Sequence, residues 1–169
     1  ESIAYNKLGT LKRGNHLITT VDHALYSYFI NHMNDLDTTY QLIDEKAYHL
    51  LSHTPLQYTY RQQDYELLLL GRHQVLNSIL AIEASLYLYP DLNHQIIKNG
   101  LKKALWPGRL EMIKECVYLD GAHNEHALTA LKDTVKDTFK DKKVHVLFSA
   151  LGDKDIKSML GVVKAFATS

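Results

Sequence analysis

The sequence predicts an α/β protein, in which strands alternate with helices. Short apolar runs of strand length are followed by longer segments whose apolar residues recur at helical spacing. This alternation is clearest in the last third of the chain, and it is typical of a parallel sheet covered by helices. The predicted order there is strand 110–114, strand 116–119, helix 124–139, strand 143–149 and helix 154–167.

The earlier part of the chain contains four further runs that predict strands. They are rich in threonine, tyrosine, leucine and isoleucine, and they cover 15–21, 38–43, 57–61 and 65–70. Gly71 ends the last of them. The first run contains a continuous apolar core and is therefore expected to be buried.

Three helices are predicted before the last third of the chain, and the first of them lies between the runs 15–21 and 38–43. Asp22 is placed to cap the first helix, whose apolar residues extend at helical spacing to Met33. A long helix from His73 to Tyr89 is ended by Pro90. A further helix covers 93–105.

The run Trp106-Pro107-Gly108 breaks the helical pattern and is the best domain boundary in the chain. It divides the sequence into residues 1–106 and 107–169. Only about 60 residues follow the boundary, whereas a complete doubly wound domain commonly needs about 100–150. We therefore expect the chain to be a piece of a longer protein.

Composition excludes several classes of function. The 169 residues carry 19 lysines and arginines against 19 aspartates and glutamates, so net charge gives no reason to expect binding to nucleic acid or membrane. The single cysteine, Cys116, allows no internal disulfide, which suits a reducing cytoplasm. No apolar run approaches the roughly 20 residues that span a bilayer, and no signal peptide is recognisable at the start.

The ten histidines do not form a metal-binding pattern. There is no pair of histidines four apart beside a carboxylate, and there is no cysteine pair. His123 and His126 are three apart at a predicted helix start and could share one face. Scattered histidines without such a pattern disfavour a zinc protein.

The most informative run is Asp120-Gly121-Ala122-His123-Asn124, which joins a predicted strand to a predicted helix. Open α/β sheets bind ligands at the carboxyl ends of strands. Asp120 could accept hydrogen bonds from two vicinal ribose hydroxyls, and His123 could meet a carboxylate or phosphate. The alternative is structural, with Asn124 as the helix cap and Asp120 in a turn.

Three other runs have both a functional and a structural interpretation. Their functional groups are Asn77 one turn into a helix that follows Gly71, Arg109 after a rigid turn, and Lys154 at the start of the last helix. A helix start favours anions and the arginine fork suits phosphate. The alternatives are a capped helix, a solvated linker arginine and an exposed charge cluster in which Asp153 or Asp155 caps the helix.

Taken together, these runs resemble the folylpolyglutamate synthase/dihydrofolate synthase family of the Mur ligase superfamily. The resemblance extends from Glu1 to about Leu160 and includes the opening run Glu1 to Gly9. Four family motifs occur in order: Gly-x-His-Gln-x-x-Asn at 71–77, Trp-Pro-Gly-Arg at 106–109, Asp-Gly-Ala-His-Asn at 120–124 and Asp-Lys-Asp at 153–155.

The resemblance implies a reaction in which ATP phosphorylates a folate or dihydropteroate carboxylate and the amine of L-glutamate attacks the acyl phosphate. It implies that Asn77 and Arg109 hold the nucleotide, that Asp120 holds its ribose and that His123 lies near the glutamate and the reacting phosphate. Lys7 matches a family lysine that carries a carbamate, whose hard oxygens suit Mg²⁺. The alternative for Lys7 is an ordinary surface lysine.

The resemblance also implies a domain organisation. Residues 1–106 would be the end of the central ATPase domain, and residues 107–169 the start of a Rossmann-like carboxyl-terminal domain that is cut short. Family members are usually monomers. A hinge at Trp106-Pro107-Gly108 would carry Asp120 and His123 over the nucleotide.

The chain departs from the family in three places. It has no Gly-x-x-x-x-Gly-Lys-Ser/Thr loop for the triphosphate, so no turnover is expected from this chain alone. Asn6 replaces a usual glutamate, and Glu125 replaces a usual proline. Two alternatives stay open: a non-catalytic module that binds nucleotide, and another Mur-type ligase, although Gly121 argues against the latter because those enzymes typically have tyrosine there.

Overall fold

The computed structural model describes residues 2–21, 23–151 and 155–169, and it confirms the α/β class. The helices are α1 Ser2–Leu8, α2 Tyr26–Asp35, α3 Arg72–Leu88, α4 His94–Lys103, α5 Glu125–Thr138 and α6 Ile156–Lys164. The strands are β1 His16–Thr20, β2 Thr39–Ile43, β3 Tyr48–His53, β4 Leu56–Tyr60, β5 Gln63–Leu67, β6 Glu111–Lys114 and β7 Val117–Leu119.

The strands of the described residues form three small sheets. β1 and β2 pair in parallel, with His16 opposite Thr39. β3, β4 and β5 form an antiparallel meander in that order. β6 and β7 form an antiparallel hairpin. The prediction of a parallel sheet beyond residue 107 is therefore wrong, because the two strands there are joined by a tight turn that permits only antiparallel pairing.

The main core lies between the β3–β5 sheet and α3. Along β4 every second side chain is buried, and Tyr58 at its centre is fully buried. Val75 and Ile79 on α3 are also fully buried against this sheet. The Tyr58 hydroxyl and Ser78 Oγ lie 2.6 Å apart, and burial raises the pKa of Tyr58 to about 12. Helix α3 is thus fixed to the sheet by packing and by a buried hydrogen bond.

A buried carboxylate joins α3 to two of the sheets. Glu83 is 3% exposed and accepts hydrogen bonds from Gln41 Nε2 at 2.6 Å, Tyr60 Oη at 2.7 Å and Arg61 Nη2 at 2.8 Å. Burial, together with the hydrogen bond to this carboxylate, raises the pKa of Tyr60 to about 12. A buried charge is tolerated when it is paired and hydrogen-bonded, and three donors meet that condition here.

Strand β3 was not predicted. Its sequence, Tyr48 to His53, places two histidines and a serine among the apolar residues, so it lacks the alternation of a half-buried strand. The strand forms because it pairs with β4, where Leu50 lies opposite Tyr58. Cys116, predicted to lie in a strand, instead occupies the turn between β6 and β7 with a φ of 58°.

The predicted strand over 143–149 is absent from the described structure. This segment pairs with the end of the chain instead, since Val146 N donates to Ser169 O at 3.0 Å and Thr168 N donates to Val144 O at 2.6 Å. Val146 and Phe148 pack against the small core of α5 and α6. The apolar pattern that predicted a strand therefore reflects packing against helices rather than membership of a sheet.

The helix caps are partly confirmed. Asp155 caps α6, accepting from Ser158 N at 3.1 Å. The predicted cap at Asp22, and the cap or phosphate contact predicted at Asp153 and Lys154, lie outside the described residues. No helix in the described ranges has the length and apolar character needed to cross a membrane.

Candidate functional site

A cavity of about 680 Å³ lies where α3, the end of α4, the loop after it and α5 meet. One part of its lining is apolar and includes Ala81, Leu101, Ala104 and Trp106. Another part carries polar and charged side chains. These include His73, Asn77, Arg109, Asp120 and His126. A mostly apolar cavity with a few convergent polar groups is the usual form of a small-molecule site.

The first wall of the cavity is one face of α3. His73, Asn77 and Ala81 line it at intervals of four residues, which places them on the same side of the helix. Gly71 precedes the helix with a φ of 102°, a conformation that side chains with a Cβ rarely adopt. A Cβ on Gly71 would lie 2.5 Å from Thr134 Oγ1 on α5, so glycine allows α5 to approach.

The second wall consists of two loops that hydrogen-bond to each other. Gly121 N donates to Gly108 O at 2.8 Å, and Leu110 N donates to Asp120 Oδ2 at 2.8 Å. Asp120 Oδ1 accepts from Ala122 N, also at 2.8 Å. An ionised carboxylate has about four lone-pair sites, so each Asp120 oxygen keeps a site for another donor. The loops therefore fix the direction of the Asp120 carboxylate and still leave acceptor sites free for a ligand.

Charged and titratable groups interact across the cavity. Although part of the His73 side chain faces solvent, desolvation by the surrounding protein lowers its pKa below the ordinary value. Asp120 opposes this shift, while Arg109 and His126 add to it. His73 therefore lies close enough to Asp120, Arg109 and His126 for their charges to affect its pKa. At neutral pH, His73 is therefore in its neutral form.

Three of the five predicted site residues line this one cavity. Asn77 comes from α3, Arg109 from the loop after α4, and Asp120 from the loop after β7. The predicted roles require that these three side chains lie at one site, and the cavity meets that requirement. The roles themselves stay predictions at this point.

His123 does not line the cavity. It is exposed in the loop before α5, and its Nδ1 lies 2.8 Å from Gly121 O. Because a carbonyl oxygen only accepts, Nδ1 carries the hydrogen in this contact. The structural alternative for Asn124 is confirmed, since its side chain caps α5 by accepting from Ala127 N at 2.8 Å.

Lys7 is exposed near the end of α1 and is not part of the cavity lining. Within the described ranges, no three histidine, cysteine, aspartate or glutamate side chains group closely enough to hold a metal ion. The predicted carbamate on Lys7 and its magnesium site are not tested by this geometry.

Several cavity residues were not among the predicted site residues. His73, Gln74 and Trp106 belong to the quoted motifs, but only their neighbours were assigned roles. His126 was noted from the sequence only because it could share a helix face with His123. In the structure His126 lines the cavity, whereas His123 does not. Helical spacing was the available signal, because His126, Ala130 and Thr134 recur every four residues on α5.

An ion pair ties the start of α3 to α5. Arg72 Nε lies 2.9 Å from Asp137 Oδ2, and His53 Nδ1 lies 3.5 Å from the same oxygen. Arg72 opens α3, His53 ends β3 and Asp137 is near the end of α5. The contact therefore holds α5 against the start of α3, where the cavity begins.

Comparisons with known proteins agree with this architecture. The family described as "Mur ligase, glutamate ligase domain" matches residues 108–168. The dihydrofolate synthase/folylpolyglutamate synthase of Bacillus subtilis is 32% identical over 184 residues, which cover 99% of this chain and 42% of that protein. The chain thus spans less than half the length of this relative.

Two solved structures share the fold. The folylpolyglutamate synthase of Mycobacterium tuberculosis complexed with ADP has a TM-score of 0.82 at 22% identity, covering 99% of this chain and 41% of the other. A bifunctional folylpolyglutamate synthase/dihydrofolate synthase with Mn, AMPPNP and L-glutamate bound has a TM-score of 0.76 at 22% identity, with the same coverage of 99% and 41%. Residues 108–168 thus match the Mur ligase glutamate ligase domain, and the chain is similar along nearly its whole length to a dihydrofolate synthase/folylpolyglutamate synthase.

Proposed function

We propose that this chain is part of an ATP-dependent ligase that joins L-glutamate to folate or dihydropteroate through an acyl phosphate. The observation that carries the proposal is the convergence of Asn77, Arg109 and Asp120, from three distant stretches, on one cavity. The ligase relatives support the reaction, and the ADP, AMPPNP and L-glutamate in related structures support the ligands.

Each residue has a role that its chemistry suits. Asp120 accepts hydrogen bonds from the ribose hydroxyls with the lone pairs that Leu110 and Ala122 leave available. Arg109 offers its planar fork to a phosphate. Asn77 faces the base. His123, exposed in the loop before α5, would meet the glutamate and the reacting phosphate as they approach from solvent.

A divalent metal is part of the proposed reaction, with Mg²⁺ as the expected ion. Among the described residues, no three histidine, cysteine, aspartate or glutamate side chains group to hold a metal ion, and Lys7 does not line the cavity. No step is therefore assigned to the metal in this chain. What the described residues contribute is nucleotide binding and orientation, on which phosphoryl transfer mainly depends.

We propose residues 1–106 as the end of the central ATPase domain and residues 107–169 as the start of the carboxyl-terminal domain. The match of a family to residues 108–168 supports this division. A cytoplasmic location and a monomeric full-length enzyme remain predictions from the sequence.

Nucleotide binding is tested by titrating the chain with ADP up to millimolar concentration. Trp106 is the single tryptophan of the sequence and lines the cavity, so its fluorescence reports binding directly. Asp120→Ala should weaken binding by at least about tenfold, because hydrogen bonds to a charged acceptor are lost. Asp133→Ala is the matched control, since the Asp133 side chain on α5 is 63% exposed. Equal affinities for the two variants would contradict the proposed site.

Turnover is tested with a chimaera that joins the part of the Bacillus subtilis relative preceding the matched region to this chain. We expect ADP release that depends on both L-glutamate and a folate or dihydropteroate acceptor, and we expect none from this chain alone. Asp120→Ala in the chimaera should abolish it. A folded chimaera that binds ADP but shows no such release would instead support a non-catalytic nucleotide-binding module.

A further inference from the structure

We propose that Glu111 is a positioning residue, whose carboxylate holds the turn 106–109 in the shape that presents Arg109 to the cavity. Glu111 does not line the cavity, so it acts on a ligand only through this turn. The inference rests on the proposed function, because it concerns how Arg109 is held for the phosphates of a nucleotide. It adds a second carboxylate, besides Asp120, to the groups that shape the second wall.

The turn before β6 has the hydrogen bond and the residue types of a type II turn. Arg109 N donates to Trp106 O at 3.2 Å, and proline and glycine occupy the two central positions. Gly108 has a φ of 71°, the left-handed conformation that the second central position of this turn requires. The N–H of Gly108 is not used by the turn itself, so it needs an acceptor elsewhere.

Glu111 supplies this acceptor. Gly108 N donates to Glu111 Oε2 at 2.8 Å, a distance typical of a hydrogen bond to a carboxylate. Glu111 is the first residue of β6, where it pairs with Leu119 of β7, and its side chain is half-buried. The hydrogen bond therefore joins the turn to the hairpin that carries Asp120 directly after its second strand.

The backbone next to Arg109 has a conformation that needs such support. Leu110 has a φ of 45°, which is unfavourable for leucine because its Cβ approaches a backbone carbonyl oxygen. A conformation of this kind persists where surrounding contacts impose it. Asp120 Oδ2 accepts from Leu110 N, and Glu111 Oε2 accepts from Gly108 N. Two carboxylates thus hold the N–H groups on either side of Arg109, which sets the direction in which its side chain leaves the turn.

Hydrogen bonds rather than packing hold this turn, since Leu105 is 71% and Trp106 is 66% exposed. Neighbouring side chains therefore do not compensate for the loss of one acceptor. Without the Glu111 carboxylate, the Gly108 N–H would bond to water and the turn would sample other conformations. Arg109 would then spend part of its time away from the phosphates, and a ligand without phosphates would be unaffected.

The test compares the affinities of the chain for ADP and for adenosine, which lacks the phosphates, measured from the shifts of backbone amide resonances in α3. The unaltered chain should bind ADP more tightly. Glu111→Met nearly keeps the length of the side chain but removes the acceptor. The ratio of the adenosine to the ADP dissociation constant should fall by roughly threefold to tenfold, as expected for one hydrogen bond.

Two further variants separate positioning from charge and from general loss of structure. Glu111→Gln removes the same charge but keeps an oxygen that accepts from Gly108 N, so it should retain the ratio. In a chain that already carries Arg109→Gln, Glu111→Met should change the ratio no further, because the side chain that it positions is gone.

Glu115→Met is the matched control, because Glu115 is exposed in the turn of the same hairpin and its replacement removes the same charge. It should leave the ratio unchanged. If Glu111→Met weakens ADP and adenosine equally, or leaves both affinities unchanged, the inference is wrong while the nucleotide site stands. An equal fall in Glu111→Gln, or a further fall after Arg109→Gln, would also overturn it.

The unaltered chain tests the proposed function separately. If it binds ADP and adenosine equally, the phosphate role of Arg109 is wrong, and this inference is wrong with it. Failure to bind ADP at all would count against the proposed function itself.

Discussion

The two walls of the cavity are built on different physical principles. The α3 wall lies on the main core, where Val75 and Ile79 behind it are fully buried. The loop wall is carried by the β6–β7 hairpin, in which Met112 is 61% and Leu119 is 51% exposed. Its shape comes from hydrogen bonds between the loops and from the Asp120 carboxylate.

Because the walls differ in this way, substitutions in them should affect the stability of the chain to different degrees. Substitutions behind α3 should lower the free energy of unfolding because they disturb a packed core. Substitutions in the hairpin should change stability little, since most of its side chains already contact water. The loop wall is held by a few hydrogen bonds, so it can adjust to a ligand at small cost, whereas the α3 wall presents a fixed face.

The largest expected contrast is between a core residue and a hairpin residue. Ile79→Ala should lower the free energy of unfolding by about 2–5 kcal/mol, because it removes a fully buried side chain and leaves a cavity. Met112→Ala should stay within about 0.5 kcal/mol, because that side chain is largely exposed. Urea unfolding of both variants measures the contrast. Similar losses in the two would mean that the hairpin is packed as tightly as the core.

A smaller effect is expected where α5 approaches the start of α3. Gly71→Ala should cost about 1–3 kcal/mol, because alanine is strained at a φ of 102° and its Cβ would meet Thr134 Oγ1 at 2.5 Å. Gly100→Ala is the matched control: this glycine is in α4 with open space around it, so alanine should be neutral or stabilising there. The comparison fails if both glycines respond alike in the same unfolding measurement.

The smallest effect is a difference in pH dependence. The pKa of His73 is lowered in the folded chain, so protonation favours the unfolded chain. The stability associated with neutral His73 is complete above the ordinary value of 6.5 and is lost as pH falls through the lower, folded pKa. Between about pH 8 and pH 5, the unaltered chain should therefore lose more stability than His73→Gln. Parallel profiles would show that His73 is not desolvated by the surrounding protein.

The sequence predicts the α3 wall better than its surroundings. Helical periodicity from His73 onward is strong because the apolar side chains really are buried in one core. Strand β3 was not predicted, because apolar and polar residues do not alternate along Tyr48–His53 and the strand forms by pairing with β4. Segment 143–149 has the apolar content of a strand but packs on α5 and α6.

Residues of the cavity lining were predicted where their own types suggest chemistry, and they were missed where only the fold brings them together. Asn77, Arg109 and Asp120 stand in motifs whose residue types suit a nucleotide, and all three line the cavity. His126 gains significance only from its place in the fold, where it lines the same cavity as His73. No spacing rule along the chain connects His126 with His73.

The most direct test of a site shared by both walls is to follow the backbone amide resonances of the chain during an ADP titration. We expect the amides of Asn77 in α3 and of Leu110, which donates to Asp120, to shift together and to saturate at the same ADP concentration. Shifts confined to one wall, or two walls that saturate at different concentrations, would contradict a single site built from both.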